Sequence, residues 1–304
     1  MLFNIKPQNH LEPVREVEFK LEKEIQELTE RNLKALFNLD LVKSEFKINS
    51  FRIDSLAFDR ENSSFVVVEY KRDKSFSVVD QGIAYLSLLL NNKAEFVLAF
   101  NEVFKVFKQK NDFDWSQIRV IFVAPLFTTF QKEAINFKDF PIELWEIKRY
   151  SNETVAYNHI PKANPTESLK AISKTDEQIE QVSQEILVYT EESHLEKASP
   201  EIQELYERLK SEILNIGVLE IKAVKKYVSF KADRNIVDVH MQQKALKIWI
   251  NLHHGELDDP KKLTRDVSKT GHWGNGDYEI QISNDEHLDY IVGLVKQAYR
   301  QKAQ

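Results

Sequence analysis

A chain of 304 residues that is 42% hydrophobic, with 19 phenylalanines, holds enough apolar material for two cores of ordinary size. Its formal net charge of −6 leaves no basic field over the whole molecule, which counts against a protein that coats nucleic acid nonspecifically. The absence of cysteine excludes disulfides, thiolate metal sites and thiol nucleophiles.

In chain order, residues 14–38 read as a helix, with Leu21, Ile25, Leu28 and Leu36 at helical spacing. Residues 45–58 look like two short strands, and DRENSS (59–64) is a polar turn. FVVVEYK (65–71) is short and β-branched, as a buried central strand should be. Residues 76–91 read as a second helix, 95–100 and 119–125 as strands, KEAINFK as a short helix and 142–150 as a last strand. The expected first domain, residues 1–157, is therefore α/β, a mixed sheet flanked by helices.

Residues 158–187 read as a linker and helical connector. HIPKANPTES carries two prolines and few apolar residues, and the acidic stretch 175–193 reads as a weakly amphipathic helix. Residues 188–304 read as a smaller α+β domain. A helix is expected from Ser199, as its cap, and Pro200 to near Gly217. Alternating strands follow at 218–232, 237–252 and 277–283, then a helix over 287–301. The longest central apolar run, YLSLLL, is too short to cross a bilayer, and the N-terminus has no apolar run of signal-peptide length. The expectation is a soluble cytoplasmic protein without membrane contact.

The chemistry concentrates in RIDSLAFDRENSSFVVVEYKRDK. Glu69 and Lys71 are two apart on a strand, so they project to one face and Tyr70 to the other. If the strand of Asp54 pairs with this one through the 59–64 turn, Asp54 reaches the same point. Two carboxylates can hold Mg²⁺ or Mn²⁺ through oxygen, and a lysine there can orient or deprotonate water or stabilise a phosphate. The bland alternative is a pair of ordinary solvated residues at a strand edge. In the next helix Gln81 and Tyr85 lie four apart on one face, an amide and a phenol close to that strand end. Tyr85 also reads as a half-buried aromatic. In the first helix Glu22, Glu24, Glu27 and Glu30 compete to reach the same site, and most of them are a solvated face.

Residues 15–150 resemble the PD-(D/E)XK nuclease superfamily, most closely its NucS-like and RecB-like branch. In EKEIQELTERN the resemblance selects Glu22, with Ile25 and Asn32 as landmarks; RID supplies Asp54, VEYKRDK supplies Glu69 and Lys71, and DQGIAYL supplies Gln81 and Tyr85. It implies a metal-dependent deoxyribonuclease with a restriction-endonuclease-like fold. Asp54 and Glu69, with Glu22, would bind Mg²⁺ or Mn²⁺; Lys71 would assist the water; Gln81 and Tyr85 would position water or phosphate. The implied partner is nucleic acid, DNA before RNA, in restriction or repair. The sequence departs from the pattern in having Ile53 where the superfamily's proline stands, and in lacking the branch's N-terminal DNA-binding domain. The alternative function is a catalytically silent module that holds nucleic acid or protein on the same scaffold.

The C-terminal domain resembles a small domain of unknown function found behind predicted nucleases of this kind, a module for DNA, a homodimer contact or a protein partner. GHWGNGD (271–277) holds three of the chain's seven glycines. It reads first as a hairpin loop, and second as a phosphate- or base-contacting loop with His272 and Trp273 as contacts. The adjacent His253 and His254 point in opposite directions if in a strand, poor geometry for a shared ion, and a meeting of His240, His253 and His272 is the weaker alternative. KAVKKYVSFKADR reads as a strand with solvated lysines before it reads as a nucleic-acid-binding strand. There is no P-loop and no Gly-X-Ser-X-Gly elbow.

Overall fold

The computed structural model describes residues 1–73, 76–163, 167–169, 177–232 and 234–302. They form two compact units, Met1–Leu187 and Val188–Gln304.

The first unit begins with a separate hairpin, β1 (Leu2–Lys6) and β2 (His10–Val14), followed by β3 (Glu16–Val17), α1 (Glu22–Arg31) and α2 (Leu33–Phe37). Then come β4 (Asp40–Ile48), β5 (Phe51–Asp59), β6 (Ser64–Tyr70), α3 (Val78–Asn91), α4 (Lys93–Phe104), β7 (Arg119–Ala124), α5 (Thr129–Ala134), β8 (Ile142–Tyr150), β9 (Val155–Ile160) and α6 (Glu177–Glu185). The sheet runs β3-β8-β7-β6-β5-β4, with β9 also on β8. β4, β5 and β6 are antiparallel, joined by tight turns, whereas β6, β7 and β8 are parallel, as their helical crossovers require. The α/β class expected from sequence, a mixed sheet flanked by helices, is the class observed.

Every residue of β6 is buried. Its alternate side chains feed opposite cores: Phe65 and Val67 pack with Leu86, Phe96 and Phe100, while Val66, Val68 and Tyr70 pack with Ile25 and Leu33. Phe65 anchors an aromatic cluster, stacked on Phe113 at 5.0 Å and on Trp115 at 5.4 Å between ring centroids.

Several elements differ from expectation. Residues 95–100 are helix within α4. Phe96, Val97 and Phe100 are buried while Leu98 is 59% exposed, a helical period that a short apolar run conceals. The helix expected over 14–38 starts at Glu22, because Glu16 and Val17 pair with Tyr150 and Arg149 at the sheet edge, and it breaks at Asn32. The short helix expected at KEAINFK starts earlier, where Thr128 and Gln131 form a reciprocal cap. In the stretch read as a connector, β9 runs on to Ile160 and α6 takes residues 177–185, while residues 164–166 and 170–176 lie outside the described residues. α6 brings Val182 and Ile186 into the core of the first unit, and Lys93 pairs with Glu185 at 2.8 Å. Of the acidic helix expected over 175–193, residues 175–176 lie outside the described residues; α6 ends at Glu185 and a separate turn of helix begins after Thr190.

The second unit contains α7 (Glu191–Leu195), α8 (Pro200–Leu214), β10 (Glu220–Ala223), β11 (Val228–Lys231), β12 (Asn235–Met241), β13 (Leu246–Ile250), β14 (Arg265–Asp266), β15 (Tyr278–Ile282) and α9 (Leu288–Lys302). Its sheet is antiparallel in the order β10-β11-β12-β13-β15-β14. Ser199 stands at the cap position of α8, but its side chain makes no capping bond to the helix backbone, and the helix ends at Leu214. Leu205, Leu209 and Ile213 of α8 and Ile291, Leu294 and Val295 of α9 pack against Val237, Ile248 and Ile250. On the other side of β13, Trp249 packs with Val224, Tyr227 and Val267. No single described helix is long and apolar enough to cross a membrane.

Loop 271–277 is the hairpin connection leading into β15, and it lies tight on this Trp249 face. A Cβ at Gly274 would stand 2.4 Å from the Trp249 ring, and one at Gly276 would stand 1.8 Å from the Ile250 carbonyl oxygen. Asp238, fully buried, accepts from Asn275 N at 2.9 Å and from Ser229 Oγ at 2.8 Å, and Asn275 Nδ2 donates to Tyr227 Oη at 2.9 Å. Because backbone cannot retreat as a side chain can, Gly276→Ala is expected to cost about 3 kcal/mol or more. Gly271→Ala, with open space around it, should be close to neutral. Thermal melts of the two variants test the pair, and equal melting temperatures would refute the close approach.

Candidate active site

Glu69 sits at the end of a strand with no exposed residue, and is itself 3% exposed. A carboxylate there is costly unless it is partnered. Lys71 Nζ donates to Glu69 Oε1 at 2.6 Å and Gln81 Nε2 donates to the same oxygen at 2.7 Å. Glu69 Oε2 is buried without a hydrogen-bond partner. Gln81 is placed by the first turn of α3, which Ser77 caps by accepting from Asp80 N. One residue on, Gly82 lets the helix press onto Ile142 and Phe122 of the sheet. Gln81 Nε2 also donates to Tyr85 Oη at 3.2 Å, and Tyr85 Oη donates to the Arg52 carbonyl at 3.4 Å.

The β5–β6 ladder ends at Ser55 opposite Val68, so the next positions in that register are Asp54 and Glu69. Asp54 Oδ2 accepts from Tyr70 N at 3.2 Å in place of a ladder bond. Burial, and next the charge of Glu69, push the Asp54 carboxyl up to about 6, against the opposing Tyr70 N–H and the Lys71 ammonium. Burial also raises the Tyr85 phenol, with Glu69 adding to it, so Tyr85 is a neutral hydroxyl at any physiological pH.

The expected side chains Asp54, Glu69, Lys71, Gln81 and Tyr85 thus come together. Glu22 stands beside them: it is exposed in the first turn of α1, and its Oε1 accepts from Arg72 N at 3.1 Å, next to Lys71. Of its competitors, Glu24 reaches Lys20 N and Arg149, Glu27 is exposed, and Glu30 turns to the other face. There Ser55 Oγ donates to Glu30 at 2.6 Å and meets Tyr70 Oη at 3.0 Å, while Gln26 Nε2 joins Glu30 to the Asp54 carbonyl. Tyr70 therefore points away from Lys71, as the two-residue period requires. Among the described residues no three acidic or histidine side chains are close enough to hold one ion; the donors that converge are the Asp54 and Glu69 carboxylates.

The sequence reading missed Glu45. The pairs Ser44–Ser55 and Phe46–Ile53 bracket Glu45 and Asp54, so Glu45, Asp54 and Glu69 follow one another across three strands. Glu45 adopts φ +52°, pairs with Arg52 at 3.0 Å and Lys23 at 3.4 Å, and adds a little to the upward push on Asp54. Counting residues back across the Asn49–Ser50 turn would have found it. The histidine pair falls outside the strands: His253 lies 3.8 Å from Asp277 and His254 3.0 Å from Asp266.

Fold and site together define a two-unit protein with a carboxylate–lysine centre on a mixed sheet in the first unit. Residues 191–302 match the family model described as "Domain of unknown function (DUF5655)". The chain is 51% identical over 291 residues to an uncharacterized protein of Haemophilus influenzae, across 95% of this chain and 96% of that one, and it belongs to the same family. Among solved structures, a repair endonuclease from Pyrococcus abyssi is similar at 19% identity, with a TM-score of 0.27, over 43% of this chain and 50% of that chain. An EndoMS–dsDNA2 complex is similar at 20% identity, with a TM-score of 0.26, over 43% of this chain and 47% of that chain. The chain spans about half the length of each of these two.

The raised Asp54 carboxyl sets a pH dependence. A folded-state pKa above the unfolded one means that the proton stabilises the fold fully below about pH 4, and that this stability is lost as the pH climbs through about 6. In the absence of divalent cations, Asp54→Asn should therefore be more stable than wild type at pH 8 by about 1–2 kcal/mol, with the gain gone near pH 4. Calorimetry across that range reads it, and a gain independent of pH would show that Asp54 does not titrate in this way.

Proposed function

We propose that the first unit is a metal-dependent nuclease that hydrolyses phosphodiester bonds, in DNA rather than RNA, with Asp54 and Glu69 as ligands for Mg²⁺ or Mn²⁺. The observation that carries the reading is Glu69 Oε2, a carboxylate oxygen buried without a hydrogen-bond partner beside a second carboxylate whose ionisation Glu69 opposes. Two such groups at one strand end are mutually destabilising until a cation joins them, and hard oxygen donors fit that cation. When bound, the ion would supply a Lewis acid that lowers the pKa of water and shields charge on the phosphate.

The chain's own residues supply the rest. Lys71 is the ammonium closest to Glu69; directed at the scissile phosphate or the attacking water, it balances negative charge as the new P–O bond forms. Gln81 and the neutral Tyr85 hydroxyl, already joined to each other, offer an amide and a phenol to position water or phosphate. Glu22, held at the mouth by the Arg72 amide, does not join the two carboxylates around one ion and would instead hold the ion's waters. A role in restriction or repair rests on the resemblance of residues 15–150 alone.

Purified protein incubated with plasmid and Mn²⁺ should nick or cut it. Glu69→Ala and Lys71→Ala should each lower the rate by about 10²–10³-fold or more, and Tyr85→Phe by less. Cutting that survives Glu69→Ala and Lys71→Ala would remove the site, and binding without cutting by the wild type would favour a silent scaffold. Independently of turnover, Mn²⁺ should raise the melting temperature of the wild type and leave that of Asp54→Asn unchanged; equal shifts in both would remove Asp54 from the ligand set.

A further inference from the structure

The second unit carries a feature that the nuclease reading does not use. Trp273 is 51% exposed, whereas Trp115 and Trp249 are buried. It is not needed to fix its own loop, because Gly274, Asn275 and Gly276 make the close contacts to Trp249, Asp238 and Ile250 beneath. The loop backbone is thus held from beneath, and the indole is left outward. Lys226 Nζ lies 4.7 Å from the indole centroid, and the His240 ring meets it edge-on at 4.9 Å. His240 Nδ1 in turn donates to the Lys226 carbonyl, which holds the β10–β11 turn beside the loop.

The surroundings are cationic. The His240 imidazole is held below its ordinary value, first by burial and then by the charges of Lys247, Lys197 and Lys226. Lys197 and Lys226 are exposed. Lys247 faces the buried Glu279 carboxylate at 3.6 Å, which Arg265 shares at 2.7 Å. A local concentration of lysines around an outward indole, in a protein of net charge −6, is complementary to a polyanion that also offers flat apolar faces. Single-stranded nucleic acid has that chemistry: an unpaired base can stack on an aromatic ring while flanking phosphates meet ammonium groups. Duplex does not, since its bases are already stacked on one another.

We propose that Trp273, with Lys226 beside it, forms a binding site for unpaired nucleotides on the second unit, separate from the centre at Asp54 and Glu69. The site requires no chemistry in the first unit and stands whether or not that unit cuts DNA.

The test uses the full chain, in chelator to suppress cleavage, and the fluorescence anisotropy of a labelled oligothymidylate of about 15 nucleotides. Wild type should bind, more weakly as salt rises. Trp273→Ala should weaken binding about tenfold or more while Trp273→Phe stays within about threefold, since a phenyl ring still stacks. Lys226→Glu should weaken binding and flatten the salt dependence by about one ion. A duplex of equal length should be insensitive to Trp273→Ala. Wild type that does not bind, or Trp273→Ala and Lys226→Glu variants that bind as wild type does, would overturn the site. A duplex that is equally sensitive to Trp273→Ala would overturn base stacking. Protein that binds in this way but cuts nothing in Mn²⁺ would fail the nuclease reading and uphold this one.

Discussion

A negative charge has been set into the interior of a sheet, and most of what surrounds it is there to make that tolerable. Glu69 ends a strand that is apolar and buried on both faces, the environment least able to solvate an anion. Lys71 and Gln81 satisfy one oxygen of the carboxylate and leave the other bare. Such an arrangement lowers stability relative to an apolar residue of similar size. A ligand for the bare oxygen would offset that cost.

The same logic extends along the row from Glu45 through Asp54 to Glu69. Glu45 is paired with two basic neighbours, Asp54 accepts a hydrogen bond from a backbone amide and holds its proton more tightly, and Glu69 has the lysine and the Gln81 amide. The partners of these acids thus differ from strand to strand. The fully compensated acid lies toward the sheet edge, and the incompletely compensated pair lies where α3 delivers an amide and a phenol.

Much of this was legible in the sequence because it is local. Asp54, the 59–64 turn, Glu69 and Lys71 belong to one hairpin, and period-two alternation fixes which residues share a face. Gln81 and Tyr85 follow from helical spacing in the next element. What escaped depends on context that a linear pattern does not carry. The run 95–100 is apolar enough to pass for a strand, and only the exposure of Leu98 beside buried Phe96 and Phe100 reveals its helical period. Glu16 and Val17 were absorbed into the first helix because their partners, Arg149 and Tyr150, lie far along the chain. The glycines of loop 271–277 were visible as a cluster, yet their purpose depends on an indole and a carbonyl in β13.

The hairpin that carries Asp54 and Glu69 also bears on the order in which the first unit assembles. Its strands need close only a short loop, whereas β7 and β8 join in parallel after long crossovers and so lose more chain entropy before any contact rewards them. The two carboxylates are therefore brought face to face early, while water still surrounds them and their repulsion is weak. Desolvation follows when α3 docks, and that helix carries Gln81 with it. The donor reaches Glu69 on the same element that takes the solvent away.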